Sequence, residues 1–274
     1  MKTDLNINTD LTLKILTGFL KSEISRVGFT RAIIGLSGGI DSAVSCALAA
    51  EALGPQNVLA VRMPYKSSSS DSLVDAEKTA QGLGVRMDTI DITPMIEPVI
   101  QREPNMSNLR KGNLMARARM IVLYDQSEAF KGLVVGTSNK TEILLGYTTL
   151  WGDMASAINP IGDLYKTQLR QLAAALKIPK NVLEKPPSAD LWQGQTDETE
   201  LGFTYEEVDK LLYLLVDQRC ILEDCVEAGF EKTFVETIIN RIRRSQYKRM
   251  MPIIAKVSTR TVGYDFLYLR DWGT

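Results

Sequence analysis

Short apolar runs alternate with longer amphipathic stretches through the first half of the chain. Alternating or continuous apolar runs predict strands, whereas apolar residues spaced three and four positions apart predict helices. We expect a helix at 10–27, strands at 31–36, 57–63, 85–90 and 133–135, and intervening helices at 40–53, 71–83 and 108–130. This alternation is typical of a parallel sheet with right-handed crossovers. The pattern therefore predicts an α/β fold, a three-layer doubly wound parallel sheet.

The second half of the chain is predicted to be helical. Apolar faces recur at helical spacing in 164–177, 204–216 and 231–249. The polar stretch 186–202 is long for a connection in a compact domain, and such loops are often functional, so it is a candidate lid. We expect one domain over residues 1–274, with an α/β core at about 28–160 and a helical C-terminal part at about 161–250.

The turn after the first strand is the strongest candidate for a binding site. Ser37-Gly38-Gly39-Ile40-Asp41-Ser42 would place backbone N–H groups at a helix N-terminus, where they bind phosphate. Two glycines between a strand and a helix can equally form an ordinary turn. A Walker P-loop occurs nowhere in the sequence, which argues against γ-phosphoryl transfer. The order Ser-Gly-Gly-x-Asp-Ser resembles the pyrophosphate loop of enzymes that split ATP between its α and β phosphates.

Asp41 implies a cation if this loop binds ATP. A carboxylate about 4 Å from a phosphate charge is repelled by roughly 4 kcal/mol at an effective dielectric of about 20. The helix dipole stabilises that carboxylate by only about 0.3–1 kcal/mol. Because the repulsion dominates, a cation must lie between the two groups. Asp41 is therefore a predicted Mg²⁺ ligand, and a second acidic residue is expected to help hold the metal.

Composition narrows the classes of function. The chain has 32 basic and 33 acidic side chains, so no attraction to nucleic acid is expected. The absence of histidine excludes His-based nucleophile systems and His-ligated zinc. Three cysteines, an odd number, favour a reduced and cytoplasmic protein. No apolar run approaches the roughly 20 residues that span a membrane, and the N-terminus has no signal-peptide pattern, so no membrane association is expected.

Motifs distributed over about residues 10–250 resemble the NAD synthetase family. Each motif alone is weak, but their order along the chain makes the resemblance specific. Besides the loop at 37–42, they are Met63-Pro64-Tyr65, the runs 112–120 and 136–142, Gly152-Asp153, Asn159-Pro160-Ile161, Lys166-Thr167, the run 185–191, Asp197-Glu198 and Leu201-Gly202. The resemblance implies a Rossmann-like fold of the adenine nucleotide alpha hydrolase-like kind.

The resemblance also implies an ATP-driven amidation by a homodimer that uses Mg²⁺. The family joins ammonia to nicotinic acid adenine dinucleotide (deamido-NAD) through an adenylate, and releases NAD⁺, AMP and pyrophosphate. By similarity, the ATP-binding residues would be Gly35, Leu36, Ser37, Gly38, Gly39, Ile40, Asp41, Ser42, Arg62, Thr137, Lys166 and Ser188. Glu142 would be the second metal ligand beside Asp41. Arg117 and Lys248 would contact deamido-NAD.

These residues also have ordinary structural interpretations. Thr137 and Glu142 could cap the short helix after the fourth strand. Lys166 could be a solvated helix residue, and Arg117 could form an ion pair on its own helix. The sequence alone leaves these interpretations open.

The chain departs from many ammonia-dependent family members at three positions associated with the dinucleotide. Where those members have a lysine, an aspartate and a histidine, this chain has Leu150, Ala157 and Tyr247. Of the usual contacts only Lys248 is retained. The stretch 148–153 resembles instead the synthetase portion of glutamine-dependent members. A separate glutaminase is therefore an alternative source of ammonia.

An ammonia-dependent NAD⁺ synthetase is the predicted function, and two alternatives remain. Another pyrophosphate-loop ligase, such as a tRNA-modifying enzyme, is disfavoured by the balanced charge and by the absence of a CxxC pair. An ATP-binding sensor without a second substrate would not explain why Glu142, Lys166 and Ser188 accompany the loop.

The nitrogen source is predicted to be free ammonia. Without histidine, and with Cys46, Cys220 and Cys225 in predicted helices, the chain has no evident means of releasing ammonia from glutamine. A carboxylate near the metal could bind ammonium and accept its proton, and Asp153 is the first candidate. The predicted catalytic residues are therefore Asp41, Asp153 and Lys166.

Overall fold

Four parallel strands form a sheet: β1 (Ala32–Gly35), β2 (Val58–Arg62), β3 (Arg86–Thr89) and β4 (Leu133–Val135). The structure is a computed structural model that describes residues 3–188 and 196–267. The strand order is β3-β2-β1-β4, with Ile34 opposite Ala60 on one side and Val135 on the other. The order reverses at β1, where sheets of this kind bind ligands beyond the carboxyl ends of the strands.

Helices connect the strands and form the second half of the chain. They are α1 (Thr9–Arg26), α2 (Ile40–Leu53), α3 (Ser70–Leu83), α4 (Thr93–Gln101), α5 (Asn108–Phe130), α6 (Lys140–Leu145), α7 (Lys166–Ala175), α8 (Lys180–Glu184), α9 (Asp197–Leu201), α10 (Tyr205–Leu212), α11 (Leu222–Glu227) and α12 (Lys232–Arg244). The strands and the three long helices between them agree with the sequence prediction. Within the described ranges, no helix is both long enough and apolar enough to cross a bilayer.

Helices cover both faces of the sheet, which confirms the predicted three-layer α/β fold. Ala32 and Ile34 of β1 lie in one buried cluster with residues of α1, α2, α3 and α7. Ile33, which points to the opposite face, is buried with residues of α4 and α5. Successive side chains of a strand point to opposite faces. Because both faces are covered, β1 is apolar at every position rather than alternating with polar residues.

The helical part has a second buried cluster. It contains Leu145 of α6, Leu201 of α9, Val208 of α10, Cys225 of α11 and Ile238 of α12. α7 contacts both α2 of the first cluster and α10 of the second. α7 therefore joins the sheet layers to the helical part. The boundaries at about 28–160 and about 161–250 stay predictions.

The sequence analysis missed one short helix in the predicted lid. α9 begins at Asp197 because the Thr196 hydroxyl accepts a hydrogen bond from the backbone N–H of Thr199, and acidic residues fill the first turn. Residues 189–195, the middle of the predicted lid, lie outside the described residues. The prediction that Cys220 is helical is wrong, since it lies between a π-helical turn and α11.

Candidate active site

The loop at 37–42 turns sharply between β1 and α2. Gly38 has a φ of +83°, and a Cβ there would lie 2.2 Å from the carbonyl oxygen of Ser72. Only glycine fits this position, because both the backbone conformation and the close approach exclude a side chain. The Ser37 and Ser42 hydroxyls lie 3.0 Å apart and accept the N–H groups of Gly39 and Ser37, respectively. Two donors expected to be free for phosphate are thus held by hydroxyls.

A buried lysine connects two carboxylates beside this loop. Lys166 Nζ lies 2.5 Å from Asp41 Oδ2 and 3.2 Å from Glu142 Oε1. Lys166 is only 1% exposed, so the interpretation of a solvated helix residue is wrong. The three predicted residues are therefore brought together at the carboxyl ends of β1 and β4, where the strand order reverses.

Asn139 fixes both carboxylates. Its side chain caps α6 by accepting the backbone N–H of Glu142 at 3.0 Å, and it donates to Asp41 Oδ1 at 2.8 Å. Glu142 Oε2 in turn accepts the backbone N–H of Asn139 at 3.2 Å. Glu142 therefore both caps α6 and pairs with Lys166. The alternative that Thr137 caps this helix does not hold, because Asn139 is the N-cap. Asn139 belongs to the motif at 136–142, but the sequence analysis assigned it no role.

Asp209 fixes the start of α7, where Lys166 lies. Its Oδ1 accepts the Thr141 hydroxyl at 2.5 Å, and its Oδ2 accepts the Thr167 backbone N–H at 2.8 Å. The Thr141 hydroxyl also accepts the backbone N–H of Lys166 at 3.0 Å. Asp209 is completely buried. No local sequence signal identified it, because its partners lie far away in the chain.

Acidic side chains outnumber basic side chains in this cluster. Burial, followed by the charge of Asp41, raises the pKa of Glu142 to about 8. Burial opposes the charge on Lys166, but Asp41 and Glu142 outweigh it, so the pKa of Lys166 is raised. Burial also raises the pKa of Asp197, which Lys166 partly offsets. With three acidic residues around Lys166, a second cation would stabilise the site.

The oxygen donors fit Mg²⁺ bound together with a nucleotide. Among the described residues, no group of three or more His, Cys, Asp or Glu side chains could hold a metal. Asp41 Oδ2 and Glu142 Oε1 nevertheless converge on one point, which the Lys166 ammonium occupies. Mg²⁺ is usually bound through one or two carboxylates plus phosphate oxygens and water. Two converging carboxylates beside the loop at 37–42 are compatible with that coordination.

Of the other predicted ATP contacts, Arg62 and Thr137 lie at or just after the carboxyl ends of β2 and β4. Arg62, at the end of β2, donates to the Leu73 carbonyl at 2.8 Å and to Thr89 Oγ1 at 3.1 Å, so it holds α3 against the sheet. Thr137 is partly buried in the turn after β4. Ser188 is exposed and directly follows Pro187, whose carbonyl accepts the backbone N–H of Asp197 at 2.9 Å.

The predicted dinucleotide contacts meet at the segment 146–153. Arg117 donates to the Leu150 carbonyl at 3.3 Å, which replaces the expected ion pair on its own helix. Lys248 Nζ donates to the carbonyls of Gly146 and Thr148 at 2.8 and 2.6 Å. These two cations therefore hold the backbone of the segment.

Asp153 ends the same segment. Its Oδ1 accepts the backbone N–H of Thr149 at 2.6 Å, and its side chain remains open to solvent. Desolvation by the surrounding protein raises the pKa of Asp153. The hydrogen bond from Thr149 and the charge of Lys248 oppose this shift. Burial lowers the pKa of Lys248, and Asp153 opposes that shift. A carboxylate with a raised pKa can accept a proton more readily than an ordinary aspartate.

Comparisons with known proteins agree on one family. The sequence profile of the NAD synthase family matches residues 12–252. An NH(3)-dependent NAD(+) synthetase from Trichlorobacter lovleyi is 57% identical over 269 residues, which cover 98% of each chain. Among solved structures, an NMN synthetase from Francisella tularensis is 33% identical, with a TM-score of 0.81, over 91% of this chain and 99% of that chain.

A second solved structure has nearly the same similarity. The NH3-dependent NAD synthetase from Campylobacter jejuni is 31% identical, with a TM-score of 0.78, over 91% of this chain and 100% of that chain. The profile match and the identity to the Trichlorobacter relative both extend over most of the chain. This chain therefore belongs to the NAD synthase family.

Proposed function

We propose that this chain is an ammonia-dependent NAD⁺ synthetase, which amidates deamido-NAD and converts ATP to AMP and pyrophosphate. The observation that carries the proposal is the convergence of Asp41 and Glu142 on Lys166 beside the glycine loop. The relative from Trichlorobacter lovleyi, which is 57% identical, carries that name and supports the assignment.

The reaction has two steps. In the first step, the substrate carboxylate attacks the α-phosphorus of ATP, the bond to the β-phosphate breaks, and pyrophosphate leaves. In the second step, ammonia adds to the carbonyl carbon of the adenylate, a proton is lost, and AMP leaves. Negative charge on phosphate oxygens increases in both leaving groups, so preorganised positive groups at the site lower both barriers.

The loop at 37–42 and the cluster of Asp41, Glu142 and Lys166 take part in the first step. ATP is bound along Gly35–Ser42, and Arg62, Thr137 and Ser188 are the further proposed contacts. Asp41 and Glu142 would hold Mg²⁺, which offsets phosphate charge when it is bound. With Mg²⁺ bound to Asp41 and Glu142, the Lys166 ammonium would be available to bind the phosphates.

The segment 146–153 is the proposed binding region for the acid substrate and for ammonia. Arg117 and Lys248, which hold this segment, are the proposed contacts with deamido-NAD. Asp153 is the proposed general base, because its side chain is open to solvent and its pKa is raised. It would bind ammonium and accept one proton, which leaves neutral ammonia with the lone pair needed for attack.

The proposal leaves a few alternatives to be tested. One solved relative is named an NMN synthetase, so the acid mononucleotide is a second candidate substrate. A separate glutaminase as the source of ammonia and another pyrophosphate-loop ligase activity are the remaining alternatives. The homodimer and the cytoplasmic location stay predictions.

The deciding experiment supplies the purified chain with ATP, Mg²⁺ and ammonium, together with deamido-NAD, nicotinic acid mononucleotide or no acid. Pyrophosphate and the amide product are measured in each reaction. We expect NAD⁺ and pyrophosphate in equal amounts with deamido-NAD. If an amide forms from nicotinic acid mononucleotide but not from deamido-NAD, the mononucleotide is the substrate. Pyrophosphate release without either acid, and no amide, would contradict the proposed function.

A further inference from the structure

Asp197 connects Pro187 with Tyr205, which packs against Lys166. Asp197, the first residue of α9, is 5% exposed. Its Oδ2 accepts the Tyr205 hydroxyl at 3.0 Å, and its backbone N–H donates to the Pro187 carbonyl at 2.9 Å. The Tyr147 hydroxyl lies 3.2 Å from the other oxygen, Oδ1. Asp197 thus contacts both the start of this stretch and the helices beneath it.

The side chain of Asp197 acts on Lys166 through Tyr205. The Tyr205 ring lies 5.1 Å from Lys166 Nζ, and both side chains are almost completely buried. A desolvated cation over an aromatic face is attracted by the negative face of the ring. The hydrogen bond from the hydroxyl to Asp197 fixes the plane of the ring. Asp197 therefore limits where the Lys166 ammonium can lie.

The backbone of Asp197 acts on Ser188. Ser188 directly follows Pro187, so the Asp197–Pro187 hydrogen bond fixes the point from which Ser188 extends. Lys166 and Ser188 are both proposed ATP contacts, and they lie on separate segments of the chain. One residue hence fixes two ATP contacts, one through its backbone and one through its side chain.

We propose that Asp197 is a positioning residue that holds Lys166 and Ser188 in the relative arrangement that ATP requires. The proposal rests on the proposed function only in that both residues contact ATP. Asp197 itself touches neither substrate in this account. If its role were only structural, replacing it would change the stability of the fold but not the affinity of the folded protein for ATP.

The test compares Asp197→Asn and Tyr205→Phe with a matched control, Glu200→Gln. Asparagine is nearly the same size but removes the charge, and phenylalanine keeps the ring while it removes the hydroxyl. Glu200 accepts the same Tyr147 hydroxyl at 2.8 Å, but it lies outside the contacts to Tyr205 and Pro187. Calorimetry with ATP and Mg²⁺ gives the dissociation constant, and amide exchange of Lys185 and Ser188, which flank two prolines, reports the start of the stretch. Steady-state kinetics give KM for ATP and for the acid.

We expect Asp197→Asn and Tyr205→Phe to weaken ATP binding roughly tenfold, with KM for the acid changed by less than about twofold. ATP should slow amide exchange at Lys185 and Ser188 in the wild type and in Glu200→Gln, and less in Asp197→Asn. Unchanged ATP affinity in a folded Asp197→Asn protein, or the same loss in Glu200→Gln, would overturn the proposal.

Two further outcomes are informative. If Asp197→Asn does not fold, Tyr205→Phe decides, because unchanged ATP affinity in that variant also overturns the proposal. If the wild type binds ATP but forms no amide, the proposed function fails. The ATP affinities of the variants still decide the role of Asp197, since calorimetry requires no turnover.

Discussion

Lys166 Nζ lies 2.5 Å from Asp41 Oδ2 across a sequence separation of 125 residues. Asp41 is in the first turn of α2, and Lys166 is the first residue of α7. Helix N-termini favour anions, so the Asp41 carboxylate is stabilised at the start of α2. The ion pair therefore joins the N-terminus of α2 to the N-terminus of α7.

Asp41→Asn and Glu142→Gln should each abolish most Mg²⁺-dependent activity while the fold survives. Each change removes a charged oxygen donor at the point that the Lys166 ammonium occupies, and nearly preserves side-chain volume. We expect turnover to fall by roughly a hundredfold or more. Pyrophosphate release measured over a Mg²⁺ titration, with circular dichroism as the folding control, checks this. AMP formation by Asp41→Asn near the wild-type rate would contradict the metal assignment.

The metal-free protein should lose stability as the pH rises from about 5 to about 8. Burial and Asp41 raise the pKa of Glu142 from its ordinary 4.5 to about 8 in the folded chain. In this window the folded state binds a proton that the unfolded state has released, so the free energy of unfolding decreases with pH. Lys166, whose pKa is raised above 10.5, stays charged throughout the window and adds no slope there.

Urea denaturation in the presence of EDTA at several pH values measures this dependence. Burial raises the pKa of Asp197 and Asp209 as well, so part of the decrease is expected to remain without Glu142. The Glu142→Gln protein should therefore show a smaller decrease than the wild type. Equal slopes in the two proteins would show that Glu142 does not bind the proton.

Gly38→Ala should prevent ATP binding. A Cβ at this position meets the Ser72 carbonyl oxygen at 2.2 Å, and the φ of +83° is strained for alanine, so the loop must move. Gly18→Ala is the matched control, because Gly18 lies in α1 with nothing within 4 Å of an added Cβ. The control should gain about 1 kcal/mol of stability from helix propensity. Calorimetric ATP titration and thermal unfolding of both variants check the pair.

Asp209→Ala should reduce both stability and activity. It leaves the Thr141 hydroxyl and the Thr167 backbone N–H without their buried acceptor, at about 1–3 kcal/mol for each unpaired group. The first turn of α7 then loosens, and Lys166 lies in that turn. Denaturant titration measures the loss of stability, and kcat measured well below the melting temperature detects the displaced lysine. Wild-type kcat in the folded variant would limit Asp209 to a stabilising role.

The purified chain should use ammonium salts, gain rate as the pH rises above neutral, and leave glutamine untouched. Only neutral ammonia has the attacking lone pair, and most of the pool is ammonium at neutral pH. Asp153→Asn should slow the ammonia step more than adenylate formation, because it removes the proposed proton acceptor. Single-turnover assays separate the two steps. NAD⁺ formation from glutamine by this chain alone would contradict the prediction.

The apolar runs predicted β1 and β2 well because both strands are buried on both faces and therefore read as continuous apolar segments. The charge of Asp41 also predicted a cation beside it, and the Lys166 ammonium lies there, while Mg²⁺ itself stays a prediction. Asn139, Asp209 and Tyr205 could not be assigned in this way. Their roles depend on contacts between distant segments, such as Asp209 with Thr141, and no local pattern marks such a contact.

During synthesis, all four strands of the sheet emerge before α7, which completes the layer on one face of the sheet. Leu169, Leu172 and Ala173 of α7 belong to the same buried cluster as α1 and α2. A nascent chain that ends before α7 exposes apolar surface on α2, and its Asp41 and Glu142 face each other without the ammonium. The helix that closes the core is also the helix that carries Lys166. Docking of α7 therefore supplies both the apolar cover of α2 and the ammonium beside Asp41 and Glu142.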